Sequence, residues 1–261
     1  MEFLDQMGNR VHLDHIPRRI ISLVPSITEL LFDLGLDQEV AGVTRQCILP
    51  ENKAGSKPKI GDVKDFDFMV IDSLRPDLII GNKEENYKEG IVKLQEKYPV
   101  WMSDITTLVD ALEMIRSVGG LVGRPGEAGA LAMEISTGLN SLDLRPRVKA
   151  AYLIWNDPCM AAGGRTFINE MLERCGLDNV FADRDRYPVI PVKDLAAAEV
   201  ILLSSEPWSF SAAEKRVFRR EFPDKNVLDV DGLMFSWYGS RLRFSAEYFI
   251  DLHRRCLQDR K

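Results

Sequence analysis

Between Pro125 and Leu142 the apolar residues Ala128, Leu131, Ala132, Ile135, Leu139 and Leu142 recur at the spacing of one buried helix face. Pro125 suits a first helical turn, where its missing N–H costs nothing, and Pro146 stops any extension. At 1.5 Å per residue this predicts a rod of roughly 27 Å. Before it, short apolar runs alternate with amphipathic stretches. Arg19–Pro25 (RIISLVP) reads as a buried strand, and Ser26 with Glu29 reads as the capping box of a helix over ITELLFDLGL. Val40–Val43 is a strand, Thr44–Lys59 a long loop, Asp67–Leu74 a helix and Leu78–Ile80 a strand. Glu84–Lys97 is a helix, Val100–Met102 a strand, and Thr107 opens a helix with Leu108, Leu112, Ile115 and Val118 on one face.

Beyond Pro146 the alternation restarts. Val148–Trp155 is a strand, Phe167–Cys175 a helix, Val200–Ser204 a strand, Ala212–Glu221 a helix, Val227–Val230 a strand and Ser245–Leu257 the closing helix. The halves share a local signature. Asp77-Leu78-Ile79-Ile80 followed by a polar turn and Glu84 is matched by Glu199-Val200-Ile201-Leu202 followed by a polar turn and Glu206. The expectation is an α/β protein: two Rossmann-like lobes with parallel sheets (1–122 and 146–261) joined by one long backbone helix (123–145).

Composition narrows the function. The chain has 261 residues with 34 basic and 40 acidic side chains, a net charge of −6 without a basic block, which disfavours nucleic acid as a partner. No apolar run approaches a membrane span. The start, MEFLDQMGNRVHLDHIPRR, lacks a basic-then-apolar export pattern, so the expectation is a cytoplasmic chain as printed, or a periplasmic or cell-envelope one if a signal lies upstream. The scattered cysteines Cys47, Cys159, Cys175 and Cys256 read as structural thiols.

Enzyme chemistry finds little footing. The histidines, His12, His15 and His253, lie near the chain ends, so no metal centre is expected. Phosphate-binding loops, nucleophile elbows and dinucleotide fingerprints are absent. No catalytic residue and no intrinsic cofactor are therefore expected. Gly163-Gly164-Arg165-Thr166 reads as a turn and helix cap, with anion binding as the alternative. Loops after parallel strands collect at one sheet edge, where α/β proteins bind ligands. Three of the four tryptophans, Trp155, Trp208 and Trp237, fall in such loops of the second half, beside Tyr187, Phe235, Tyr238 and Arg241; Arg45 falls in one of the first half. These eight are the candidate ligand-binding residues, an aromatic wall for a large flat molecule.

RIISLVPSITELLFDLG, RPDLIIGNKEEN, IWNDPCMAAGGRTFINEMLERCG, LLSSEPWSF and DGLMFSWYGSR together resemble the helical-backbone (class III) substrate-binding proteins of ABC importers, particularly the cobalamin-binding branch and its ferric-siderophore relatives. The resemblance runs from about Arg19 to Leu257. It implies a bulky metal chelate, cobalamin-like first and ferric siderophore or haem second, held between the lobes, and a glutamate on each lobe that docks on an ABC permease. Glu206 matches the second-lobe glutamate, and the internal repeat places Glu84 and Glu85 opposite it. Aligned on Arg75-Pro76-Asp77-Leu78, the family's own first-lobe glutamate falls on Met69, and the cleft tryptophan of cobalamin binders on Val63. The rival expectation is a cytoplasmic cofactor-handling protein or enzyme on the same scaffold.

Overall fold

Five buried residues in a row, Leu78–Asn82, and five more, Val200–Ser204, mark the central strands of two separate parallel sheets. A computed structural model describes residues 1–258, and its chain divides into two compact units. The first comprises 1–105, 109–134 and 238–241; the second comprises 106–108, 135–237 and the chain from Leu242 on.

The first unit opens with a hairpin, β1 (Glu2–Leu4) and β2 (Arg10–His12), where the sequence pattern predicts only a polar lead-in. The hairpin is tied to the unit by bonds from Trp101 Nε1 to Leu4 O (3.2 Å) and from Gln6 N to Met102 O (3.1 Å). Then come β3 (Ile20–Ser22), α1 (Pro25–Asp33), β4 (Val40–Val43), a short α2 (Glu51–Ala54) and a small ladder of β5 (Gly61–Asp62) with β6 (Asp65–Phe66). The rest is α3 (Phe68–Leu74), β7 (Leu78–Asn82), α4 (Lys88–Gln95), β8 (Val100–Ser103) and α5 (Leu108–Leu121). The sheet runs β4-β3-β7-β8, all parallel. Its strands are apolar on both faces because helices cover both. The capping box expected at Ser26 and Glu29 does not form. Val24 takes the N-cap position, the Ser26 hydroxyl is buried without a hydrogen-bond partner, and Glu29 faces Arg241.

Next, α6 (Pro125–Asn140) follows with Ala128, Leu131, Ala132, Ile135 and Leu139 buried, as the spacing predicts. The division between units falls inside this helix, between Glu134 and Ile135. In the first unit α6 lies close against α5: a Cβ on Gly119 would come within 2.2 Å of Ala128 Cβ, so only glycine fits there.

The second unit contains β9 (Val148–Trp155), β10 (Met160–Ala161), α7 (Phe167–Arg174), β11 (Leu177–Asn179), β12 (Val200–Ser204), α8 (Ala212–Glu221), β13 (Asn226–Val230), α9 (Leu233–Ser236) and α10 (Ser245–Gln258). Parallel β11, β12 and β13 reproduce around β9 the order that β4, β7 and β8 take around β3, and β10 adds an antiparallel piece beside the end of β9. The weak sequence repeat is therefore a repeat of topology, with chain order 2-1-3-4 in each sheet. Alternation along β9 and β12 sends Ala151, Leu153, Ile201 and Leu203 into one core cluster with Phe181 and Phe218. Tyr152 faces the other way, its ring 5.1 Å from Phe235, and Phe235 lies 4.9 Å from Phe249.

The Gly163–Thr166 stretch is a turn and a cap. Thr166 Oγ1 donates to Gly163 O (2.8 Å) and accepts from Asn169 N (3.1 Å), closing the first turn of α7. Thr166→Ala should lower stability by about 1 kcal/mol, seen as a reduced denaturant midpoint with unchanged slope.

Candidate functional site

In an order of 2-1-3-4 the connections leave strands 1 and 3 in opposite directions, and ligands of open α/β sheets lodge beyond the carboxyl ends of those two strands. In the second unit these ends are Trp155, closing β9, and the loop after Ser204, closing β12. The two loops meet there through their indoles: the Trp155 and Trp208 rings are 4.6 Å apart at 49°. Trp208 is 37% exposed and Trp155 half-buried, so this aromatic pair presents surface. Trp155 Nε1 donates to Asp157 O (3.0 Å), which fixes its ring. Met160 pairs with Trp155 on one side and bridges to Val189 on the other, bringing Tyr187 to the same edge. The Arg186 guanidinium lies 5.8 Å from the Tyr187 ring centre, a cation–π arrangement on a half-buried phenol.

Beneath this edge is a buried polar node. The Tyr152 hydroxyl meets Ser204 Oγ (2.9 Å), and burial pushes the Tyr152 phenol well above its usual range, so it stays protonated. Ser204 Oγ also donates to Glu206 O (2.7 Å) and accepts from Glu206 N (3.1 Å). Asn82 performs the matching task in the first unit: its side-chain oxygen accepts from Glu84 N (2.8 Å) and Glu85 N (3.1 Å). A polar residue ending the central strand thus shapes the turn that carries Glu206 in one unit and Glu84 with Glu85 in the other. All three glutamates are half-buried. Met69, by contrast, is 85% exposed on α3.

The first unit's loops at its own sheet edge are polar. Arg45 Nη1 pairs with Asp62 Oδ2 (3.1 Å), Gln46 Nε2 donates to Asp62 Oδ1 (3.1 Å), and Lys64 Nζ donates to Glu84 O (2.7 Å). Val63 N is held by Gln46 Oε1 (3.3 Å). Arg45 is exposed.

Four of the expected ligand residues need correction. Phe235 is fully buried between Tyr152 and Phe249 and belongs to the core. Trp237 and Tyr238 are also buried, at 7% and 6% exposure. Tyr238 and Arg241 moreover belong to the first unit, not the second. Arg241 is committed to Glu29: its Nε donates to Oε2 (2.9 Å) and its Nη2 to Oε1, so the fork is bidentate and largely buried. Of the expected aromatic residues, Trp155, Trp208 and Tyr187 keep accessible surface.

Two residues at the site escape the loop-and-aromatic reading. Asn156 Nδ2 donates to Glu214 Oε1 (2.7 Å), and Glu214 Oε2 accepts from Ser211 N (2.7 Å) as the N3 member of a capping box. The Ser-x-x-Glu spacing from Ser211 to Glu214 signals that box in the sequence itself. Hydrogen bonds from Ser211 first, then from Asn156 and Trp208, hold the Glu214 carboxyl below its ordinary range. The histidines lie elsewhere: His12 pairs with Glu2 and Asp14, His15 Nδ1 lies against Ile16 O, and His253 is buried against Pro146 O. Among the described residues there is no cluster of three His, Cys, Asp or Glu side chains able to hold a metal ion. The four cysteines are buried and unbridged. Among the described residues, no helix is long and apolar enough to cross a membrane.

Two sheets of the same topology, each with a loop cluster at its carboxyl edge, define a two-unit α/β binding protein. Comparison with known proteins makes this specific: the periplasmic binding protein family matches residues 20–221, and the chain belongs to that family. It is a binding protein, not an enzyme. Among its relatives, the vitamin B12-binding protein of Vibrio parahaemolyticus is 25% identical over 199 residues, covering 74% of this chain and 72% of that one. An uncharacterized ABC transporter substrate-binding lipoprotein, YvrC of Bacillus subtilis, is 25% identical over 258 residues, covering 92% of this chain and 81% of its own. The periplasmic heme-binding protein RhuT of Roseiflexus sp. RS-1, in apo form, shares the fold at a TM-score of 0.77 and 20% identity, covering 94% of this chain and 100% of that one.

Proposed function

We propose that this chain is the substrate-binding component of an ABC importer and that it carries a bulky metal chelate, a cobalamin-like corrinoid before haem or a ferric siderophore. The observation that carries this reading is the Trp155–Trp208 pair at the switch point of the second sheet, an aromatic surface suited to a broad, flat ligand. The names of the relatives, a vitamin B12-binding protein among them, point the same way. The metal is cargo: it arrives inside its chelate, so the protein needs no metal ligands of its own. Calorimetric titration with cyanocobalamin, hemin and a ferric hydroxamate tests the order. Cyanocobalamin binding most tightly supports the reading, and no binding of any of the three overturns it.

In this reading Glu206 docks on the permease, with Glu84 and Glu85 as the first-unit counterparts. Each sits on a turn fixed by the last residue of a central strand, so its placement costs little ordering on association. Glu206→Lys should leave chelate affinity unchanged while reducing uptake in cells at least tenfold, because a like charge would face the permease's arginines. Unimpaired uptake by that variant would remove Glu206 from the docking face. The proposal also places the chain in the periplasm or cell envelope, which fractionation of its source would check.

A further inference from the structure

In the loop of residues 205–211 that presents Trp208, the ends are anchored, Ser205 through Val230 O and Gly232 N and Phe210 by burial against Phe218, while Pro207, Trp208 and Ser209 between them are exposed. A single carboxylate links the end of this loop to the segment after β9. Glu214 Oε2 accepts from Ser211 N at the loop's end (2.7 Å), and Oε1 accepts from Asn156 Nδ2 beside Trp155 (2.7 Å). The segment after β9, the loop after β12 and the first turn of α8 are thereby held by one side chain. A helix cap alone needs only the Ser211 contact; the bond to Asn156 is surplus to capping.

We propose that Glu214 is the positioning residue of the binding surface, holding the Trp155 and Trp208 rings in contact before any ligand arrives. The proposal rests on the ligand-binding reading above, but its central claim concerns the unliganded protein. The carboxylate suits the task because each of its donors, the Ser211 backbone amide and the Asn156 side-chain amide, needs an acceptor. Glutamine would turn one oxygen into an N–H that faces a donor. Pre-set rings spare the ligand the ordering of two large side chains.

The test uses the full chain and three variants, Glu214→Gln, Asn156→Ala and Ser211→Ala. Two indoles in contact give an exciton couplet in circular dichroism, assigned here by its loss in Trp155→Phe and in Trp208→Phe. Glu214→Gln should lose most of the couplet while remaining folded, and Asn156→Ala should lose part of it. Ser211→Ala, which removes the hydroxyl side of the cap and leaves the other bonds, should keep it. With hemin and cyanocobalamin as probes, Glu214→Gln should weaken binding about fivefold, and Ser211→Ala less than twofold. A couplet absent from the wild type, retained in Glu214→Gln, or lost equally in Ser211→Ala overturns the proposal. Failure of both probes to bind the wild type counts against the ligand reading alone, since the couplet still decides the role of Glu214.

Discussion

Arg241→Leu will destabilise the protein by about 3–5 kcal/mol, the largest effect expected of any single substitution at a polar residue here. Glu29 lies on α1 with its side chain 12% exposed, and Arg241 is 16% exposed, so neither charge is well solvated. Their bidentate pairing offsets that desolvation, and it joins residues 212 positions apart in the chain. Removing the guanidinium leaves a carboxylate buried with its main counter-charge gone. At roughly 2–4 °C per kcal/mol for a protein of this size, the melting temperature should fall by about 10 °C. The double variant Glu29→Leu, Arg241→Leu should recover most of the loss, since two apolar side chains carry no charge to desolvate. Arg241→Lys should fall between, keeping the charge but losing the fork. Equilibrium denaturation of the four proteins makes the comparison. A single Arg241→Leu variant within 1 kcal/mol of the wild type would show that the pair contributes little.

That pair also shows where reading from sequence stops. Glu29 three residues after Ser26 fits a capping box, and local spacing carries no sign that a residue 212 positions away will claim the carboxylate. The strand-and-helix alternation was legible because burial on both faces makes parallel strands continuously apolar, as in Leu78–Ile80 and Val200–Leu203. The three-residue strands Glu2–Leu4 and Arg10–His12 are too short and too polar to show a period. The surface positions of Trp155 and Trp208 at the sheet edge are legible because one ends and the other follows a long buried strand. Phe235, Trp237 and Tyr238 were misread because their loop position says nothing of direction. Phe235 lies on the short helix Leu233–Ser236 and meets Phe249 in the core, while Trp237 and Tyr238 follow it and are buried as well. Glu214 is legible as a cap, but its bond to Asn156 depends on tertiary placement.

Because Trp237 is buried, the proposed ligand surface rests on Trp155 and Trp208, and the corresponding variants are the sharpest test of the proposed function. Truncating a well-packed aromatic anchor commonly costs 2 kcal/mol or more, about thirtyfold in affinity. Trp208→Ala should therefore weaken cyanocobalamin binding at least tenfold by calorimetry. Trp155→Ala should do as much, since it removes one ring from the surface and the support of the other. The double variant should fall short of the product of the two losses, because residues in contact are not independent. Trp237→Ala, in contrast, should lower stability through the cavity it leaves, with affinity following only as the fold is lost. Arg45→Ala removes an exposed cation already paired with Asp62, so its effect on a neutral corrinoid should be under threefold, and larger for hemin with its carboxylates. If Trp155→Ala and Trp208→Ala both remain folded and bind cyanocobalamin within twofold of the wild type, the paired indoles are not the ligand surface.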